Sequence, residues 1–336
     1  MHLEPLTSEM PIHSLGRHLK ARFGRRLRRV MLDLGTTCPN RDGTSGLGGC
    51  IYCDVHGSGT GATRRGLNIE TQWKSELARV QRNQEVGPTA ILYFQSYSST
   101  WPDLAPLSSA LTTARAWAND APVLSVGTRP DCFSPEAANL LAKQKNYFQD
   151  VWIEFGLETA SNEVQRIIGR NDSLENFHRA CRVARDCGLK VIAHTIAGLP
   201  GEKPDGLIRQ VRECAEAQVS GIKFHQLMVL RKTKLAAMWQ RGEIQLLTPP
   251  TYVAMVADAL EILPPEVVIH RLAAAAPKEE YLAPLGWPTP AKIHAEILEE
   301  LRSRGTVQGC RHHSKKRKER ATFNESRALF GEGSRI

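Results

Sequence analysis

The chain reads as an α/β protein: a partial or complete (β/α) barrel of the TIM type, with a basic segment at each end. Three observations lead there. Short apolar runs alternate with amphipathic stretches at a spacing that suits parallel β/α units. Nearly every apolar run is followed at once by polar or glycine-rich residues, which a parallel barrel would gather on one face. The chain has 336 residues, 41% of them apolar, enough for one barrel with an appendage. A doubly wound open sheet is the competing architecture.

Taken in order, Ile12–Phe23 allows a short helix and Arg29–Leu34 a strand bounded by Gly35. A glycine-rich loop runs from Gly35 to Gly61, and Glu70–Val86 has helical spacing. Strands are expected at Ala90–Phe94, Val123–Val126, Val151–Phe155, Lys190–Ile196 and Gly221–Leu227, with Val267–His270 as a possible seventh. Helices are expected at Leu104–Ala118, Pro135–Lys145, Asn162–Ile168, Leu174–Cys187, Asp205–Gln218, Lys234–Arg241 and Thr251–Ile262. The divisions expected are a basic leader over 1–28, a barrel core over 29–245 and a mostly helical extension over 246–305. A basic tail, read as disordered, occupies 306–336.

No apolar run approaches the roughly 18–20 residues that span a bilayer. The first thirty residues have no apolar h-region, so a cytoplasmic location with reduced thiols is expected. Among the eight cysteines, Cys132, Cys181, Cys187 and Cys214 stand singly in apolar or helical surroundings and read as small buried side chains. The formal charge of +9 is concentrated at the ends. Arg17, Lys20, Arg22, Arg25, Arg26, Arg28 and Arg29 crowd the first, and Arg311, Lys315, Lys316, Arg317, Lys318 and Arg320 the last. Such blocks attract polyanions by counterion release; a solvated tail is the plainer account of the second.

The densest chemistry lies in the run TCPNRDGTSGLGGCIYCD. Cys50 and Cys53 form a C-x2-C chelate, and Cys38 can return to them through the glycines at 43, 46, 48 and 49. Three thiolates suit a [4Fe–4S] cluster with one iron left open. With His56 they equally suit a closed four-ligand zinc site. Cys310, His312 and His313 hint at a second metal site but lack a neighbouring cysteine.

A strand, then a cysteine loop with Tyr52 before its last cysteine, at the first turn of a β/α barrel, resembles the radical S-adenosylmethionine (SAM) superfamily. The C-x11-C-x2-C spacing is similar to that of a small bacterial radical SAM family and, more distantly, of the radical SAM domain of the Elongator catalytic subunit. The runs FQSYSSTW, SVGTRPDCF, VWIEFGLETA and HTIAGLPGE carry the likeness along residues 28 to 240.

This resemblance implies two cofactors, a [4Fe–4S] cluster and S-adenosyl-L-methionine, and cleavage of SAM to a 5′-deoxyadenosyl radical with electrons from a reductant such as flavodoxin or ferredoxin. It implies that Cys38, Cys50 and Cys53 ligate iron. It places Tyr52 near the adenine, Gln95 and Ser96 at the methionine end, and Arg129, Asp131, Glu158 and Arg170 around the nucleoside and carboxylate. Gly198 and Leu199 would let backbone approach the adenine. Gly127 stands where the Elongator domain carries Glu.

Glu158 and His194 are the candidates for catalysis, with helix capping and a polar barrel layer as their structural alternatives. Glu202 reads as a loop support. Tyr97 and Trp101 either stack on a substrate base or pack the loop. The activity expected is modification of RNA, specifically the side chain of a tRNA wobble uridine, with no acetyltransferase domain following the barrel. A small-molecule or protein substrate and a non-catalytic zinc-dependent RNA binder are the alternatives.

Overall fold

The computed structural model describes residues 5–54, 57, 59–81 and 87–312. The elements are α1 (Leu15–Phe23), β1 (Arg28–Leu32), α2 (Ile69–Val80), β2 (Ala90–Phe94), α3 (Ala105–Ala114), β3 (Val123–Thr128), α4 (Pro135–Ala142), β4 (Asp150–Glu158) and α5 (Asn162–Ile167). They continue with α6 (Leu174–Asp186), β5 (Lys190–Ala197), α7 (Gly206–Glu216), β6 (Gly221–Gln226), β7 (Val229–Leu230), α8 (Lys234–Gln240), α9 (Pro249–Ile262), β8 (Val268–Arg271), β9 (Tyr281–Ala283) and α10 (Pro290–Ser303).

Local signals set many helix starts. Ser134, Thr248 and Thr289 each accept a hydrogen bond from the third helical residue and precede a proline in the first turn. The side-chain oxygen satisfies an otherwise orphan N–H, and proline has none to lose.

Seven strands form one parallel sheet in the order β1-β2-β3-β4-β5-β6-β8, while β7 and β9 form a separate antiparallel pair. The order never reverses, which a doubly wound sheet requires, so the barrel alternative holds. The sheet curls: the single carboxylate of Glu154 on β4 reaches Tyr93 on β2 and Lys223 on β6. It remains a half-barrel, because among the described residues β1 and β8 share no ladder. The possible seventh strand exists as β8, one residue later than expected, paired with β6.

Alternation along the strands sorts side chains to two faces. Leu92, Phe94, Leu124, Val126, Ile153 and Ala193 join the large core beneath the helices. The opposite positions point into the barrel. Its lowest layer is Ile91, Val123, Trp152 and Ile192, and Leu19 of α1 joins that cluster with Leu27. Residues 15–23, read from sequence as part of a basic leader, thus form a stopper at the N-terminal end of the barrel. His13 O accepts from Ile269 N at 2.8 Å, so the preceding segment also covers the β8 edge.

Leu19 is 2% exposed in this small cluster, and Leu19→Ala should lower the unfolding free energy by about 3 kcal/mol. Urea denaturation would show it as a lower midpoint at unchanged slope; an unchanged midpoint would mean that α1 is not part of the folded barrel.

Candidate active site

The loops after the strands converge at the C-terminal end of the barrel around a single cavity. Cys38, Cys50, Cys53, Tyr52, Gln95, Arg129, Glu158, Arg170 and His194 line it together, and the three thiols are free. Its deeper wall is formed by Tyr93, Gly127, Glu154 and Gly156, and its mouth by Arg41, Gly57 and Tyr97.

The cysteine loop is held from both sides. Cys38 O accepts from Arg41 N at 2.7 Å, closing a tight turn. Asn40 Nδ2 donates to Gly169 O at 2.6 Å, to Arg170 O at 2.8 Å and toward Cys50 Sγ at 3.5 Å. Ile51 N donates to Ile168 O, and Leu235 N donates to Ile51 O. Segments after β4 and β7 therefore fix where Cys50 sits.

Cations surround the thiols. Arg129 makes two hydrogen bonds to Asp131, at 2.8 and 2.7 Å, and turns its remaining nitrogen to within 4.0 Å of Cys38 Sγ. Arg170 is buried, donates to Gly156 O at 2.5 Å and stands 3.8 Å from Glu158. Burial pushes the Cys53 thiol up to about 12 and raises Cys38 as well. Both carry protons until a metal displaces them, so metal binding here releases protons.

The strand ends differ in what they aim inward. A bulge between Gly156 and Glu158 interrupts the β4–β5 ladder, and Glu158 adopts a left-handed φ of 63°. This turns its carboxylate toward Arg170. Glu158 does not cap the next helix, since Ser161 accepts from Val164 N there. Burial raises the Glu158 pKa against the opposing pull of Arg170. Ser96 faces away and donates to Asp33 at 2.7 Å. Asp131 is engaged with Arg129. Leu199 packs in an apolar cluster with Ile51 and Ile196, and Gly198 backs onto Leu247; neither lines the cavity. Glu202 accepts from Thr159 and pairs with Arg209, the loop support expected.

At the mouth, Tyr97 lies between the guanidinium groups of Arg41 and Arg64, 5.3 and 5.7 Å from the ring centre, and its hydroxyl accepts from Arg64 at 2.6 Å. Trp101 Nε1 donates to Asp42 at 2.7 Å, so this ring braces the cysteine loop. Arg22, one of the basic residues near the chain's start, lies elsewhere: it pairs with Asp150, the first residue of β4. That is the opposite end of the barrel, about 20 Å from the mouth by strand length. His56, His313 and the lysines of the tail fall outside the described residues, as does any set they would complete.

Sequence reasoning missed the floor of the cavity. Glu154 is fully buried and accepts from Tyr93 Oη at 2.8 Å, Ser125 Oγ at 2.8 Å and His194 Nε2 at 2.7 Å, and it pairs with Lys223 Nζ. Burial works to raise its pKa, but Lys223 and His194 outweigh that and hold the carboxylate well below its usual range. The signal was present: Glu154 interrupts an apolar strand in phase with Trp152, and Lys223 interrupts β6.

A model of the radical SAM superfamily matches residues 34–213, and one of the radical SAM C-terminal domain matches residues 219–303. The chain is 32% identical over 304 residues to the uncharacterized protein YtqA of Bacillus subtilis, covering 90% of this chain and 93% of that protein. It is 25% identical over 264 residues to a tRNA uridine(34) acetyltransferase of Methanocaldococcus jannaschii, covering 67% of this chain and 48% of that one. The fold is similar to that of an N-terminally deleted Elp3 from Methanocaldococcus infernus. That likeness has a TM-score of 0.64 and covers 84% of this chain and 64% of that chain at 17% identity. Among the described residues no helix is long and apolar enough to cross a membrane.

The donor set suits an iron–sulfur cluster: three unpaired thiols open on one cavity, with Arg129 and Asn40 directed at two of the sulfurs. After anaerobic reconstitution with iron and sulfide, alanine at 38, 50 or 53 should abolish the broad visible absorption of the cluster. Alanine at 132, 181 or 214 should keep it. A colourless wild type holding one zinc would overturn this ligand set. A family model spans more than half of the chain, and the chain belongs to the radical SAM superfamily, as an enzyme of that type with a [4Fe–4S] cluster and S-adenosylmethionine as its cofactors.

Proposed function

We propose that this enzyme modifies tRNA, acting on the C5 side chain of the wobble uridine. The observation that carries the substrate is the match along two thirds of the chain to a protein named for uridine 34 of tRNA. The matched part is 48% of that relative, and the family model matched is that of the radical SAM superfamily, so the reaction proposed is a radical step. Supporting it, Tyr97 and Arg41 line the mouth of the cavity, and Arg64 lies against the same ring. Such groups suit a base and its flanking phosphates.

In this reading Cys38, Cys50 and Cys53 hold three irons, and Tyr52, Gln95, Arg129, Glu158 and Arg170 receive SAM. When bound and reduced, the two cofactors supply a 5′-deoxyadenosyl radical. The chain's own part is to orient and to exclude water. Arg129 and Arg170 place positive charge beside the thiolates and beside any carboxylate that enters. The bare Gly127 leaves room above the floor, and Gly156 makes room for Glu158 and Arg170. Ser96, Asp131, Gly198 and Leu199 act behind these contacts, by fixing the strand-end turns.

Bulk tRNA from a deletion strain, digested and compared nucleoside by nucleoside with wild type, should lack or accumulate one C5-substituted uridine. The reconstituted enzyme with dithionite and SAM should form more 5′-deoxyadenosine when that tRNA is added. An unchanged nucleoside profile would sink the RNA assignment in favour of a small-molecule or protein substrate. That alternative gains from the placement of Arg22 at the far end of the barrel.

A further inference from the structure

His194 lies on β5 beside Glu154 and is the part of the barrel floor that remains open to the cavity. Its side chain is 20% exposed and lines the same cavity as the three thiols. One ring nitrogen is committed, since Nε2 lies 2.7 Å from the Glu154 carboxylate. The other has no hydrogen-bond partner among the described residues and is not shut away in the protein interior.

The tautomer follows from the partner. Glu154 is ionised and can only accept, so Nε2 must carry the proton. That leaves Nδ1 as a bare lone pair. Glu154 is itself locked by Tyr93, Ser125 and Lys223, so the ring cannot readily rotate without breaking a buried hydrogen bond. The charged groups around it act together. Burial, with Lys223 on β6 and Arg271 on β8, lowers the His194 pKa to about 4 against the pull of Glu154 on β4. The imidazole is therefore neutral at physiological pH.

We infer that His194 Nδ1 is a fixed hydrogen-bond acceptor that recognises an N–H or O–H donor on the substrate, and that Glu154 is the positioning residue that sets its tautomer. The site then selects substrates whose reacting portion carries a donor, and it leaves isosteric analogues without one facing an unmatched lone pair. This deepens the reading of the cavity as the place of the radical reaction. It does not depend on RNA being the substrate.

Two replacements separate the ring nitrogens. The amide of asparagine reaches the position of Nδ1, and that of glutamine the position of Nε2. With tRNA from the deletion strain as substrate, His194→Gln should lose about tenfold to hundredfold in kcat/KM, the cost of stranding one donor. His194→Asn, which keeps an acceptor at the Nδ1 position, should lose clearly less than His194→Gln. Iron content and melting temperature serve as controls for folding.

Imidazole 15N spectra supply a readout that needs no substrate, with His194→Gln identifying the signal. The wild-type ring should show a protonated Nε2 and an unprotonated Nδ1 between about pH 8 and pH 5. Glu154→Ala removes the acceptor that holds the proton on Nε2 and should let the proton appear on Nδ1 as well, with the same controls for folding. A wild-type Nδ1 that carries a proton would overturn the inference, as would equal losses from the asparagine and glutamine variants. If wild-type enzyme ignores tRNA, the RNA reading fails, and the spectra alone decide the state of His194.

Discussion

The barrel turns on one buried carboxylate. Glu154 sits in the interior of β4 with no exposure, and it accepts from β2, β3 and β5 while pairing with β6. An uncompensated charge in that position would cost several kcal/mol, and removing one partner of such a pair typically costs about 3–5 kcal/mol. The four donors do more than offset the cost. They tie five consecutive strands to a common point, so the curl of the sheet and the inward aim of His194 are set by the same atoms. A hydrocarbon core could close the barrel as tightly, but it could not orient an imidazole.

The two ends of the barrel divide the labour. At the N-terminal end α1 seats Leu19 against Trp152 and its neighbours, and Arg22 holds this stopper to Asp150 by an ion pair. At the C-terminal end the loops surrender regular hydrogen bonding and depend on specific side chains: Asn40 for the cysteine loop, Asp131 for Arg129, Glu202 for the turn after β5. Positive charge at the closed end is thus structural in part, whereas Arg41, Arg129 and Arg170 at the open end face the chemistry. Net charge alone could not tell these apart.

Much of the architecture was legible because it is local. Alternating apolar runs and their capped helices announce parallel units, and a polar turn after each strand announces a shared face. Cys38, Cys50 and Cys53 were legible as a chelate but not as a cluster, because the spacing alone fits zinc. Resemblance favoured the cluster, and the family model then placed the chain in the radical SAM superfamily. The floor was illegible for a different reason. Glu154, Tyr93, Ser125 and Lys223 lie far apart in the chain, and each by itself looks like a fault in a strand. Only closure of the sheet makes them partners. The same holds for Ser96, whose place after a strand pointed it at the cavity, while Asp33 on the neighbouring segment holds it away.

The inward positions of β3 and β4 are graded, and the gradation explains how one barrel can both seal and open. From bottom to top they read Val123, Ser125, Gly127 and Trp152, Glu154, Gly156. The first layer is bulky and apolar and meets the stopper. The second is polar and fixes orientation. The third has no side chain at all. A Cβ on Gly156 would come within 2.2 Å of the Glu158 carboxylate and 2.9 Å of Arg170, and one on Gly127 would stand 3.4 Å from the Tyr93 hydroxyl. Alanine at Gly156 would therefore displace the pair that flanks the thiols, whereas alanine at Gly127 would only narrow the cavity. This contrast suits the departure at Gly127 from the glutamate of the Elongator domain: at this level the third strand contributes empty space, and the fourth contributes the charge.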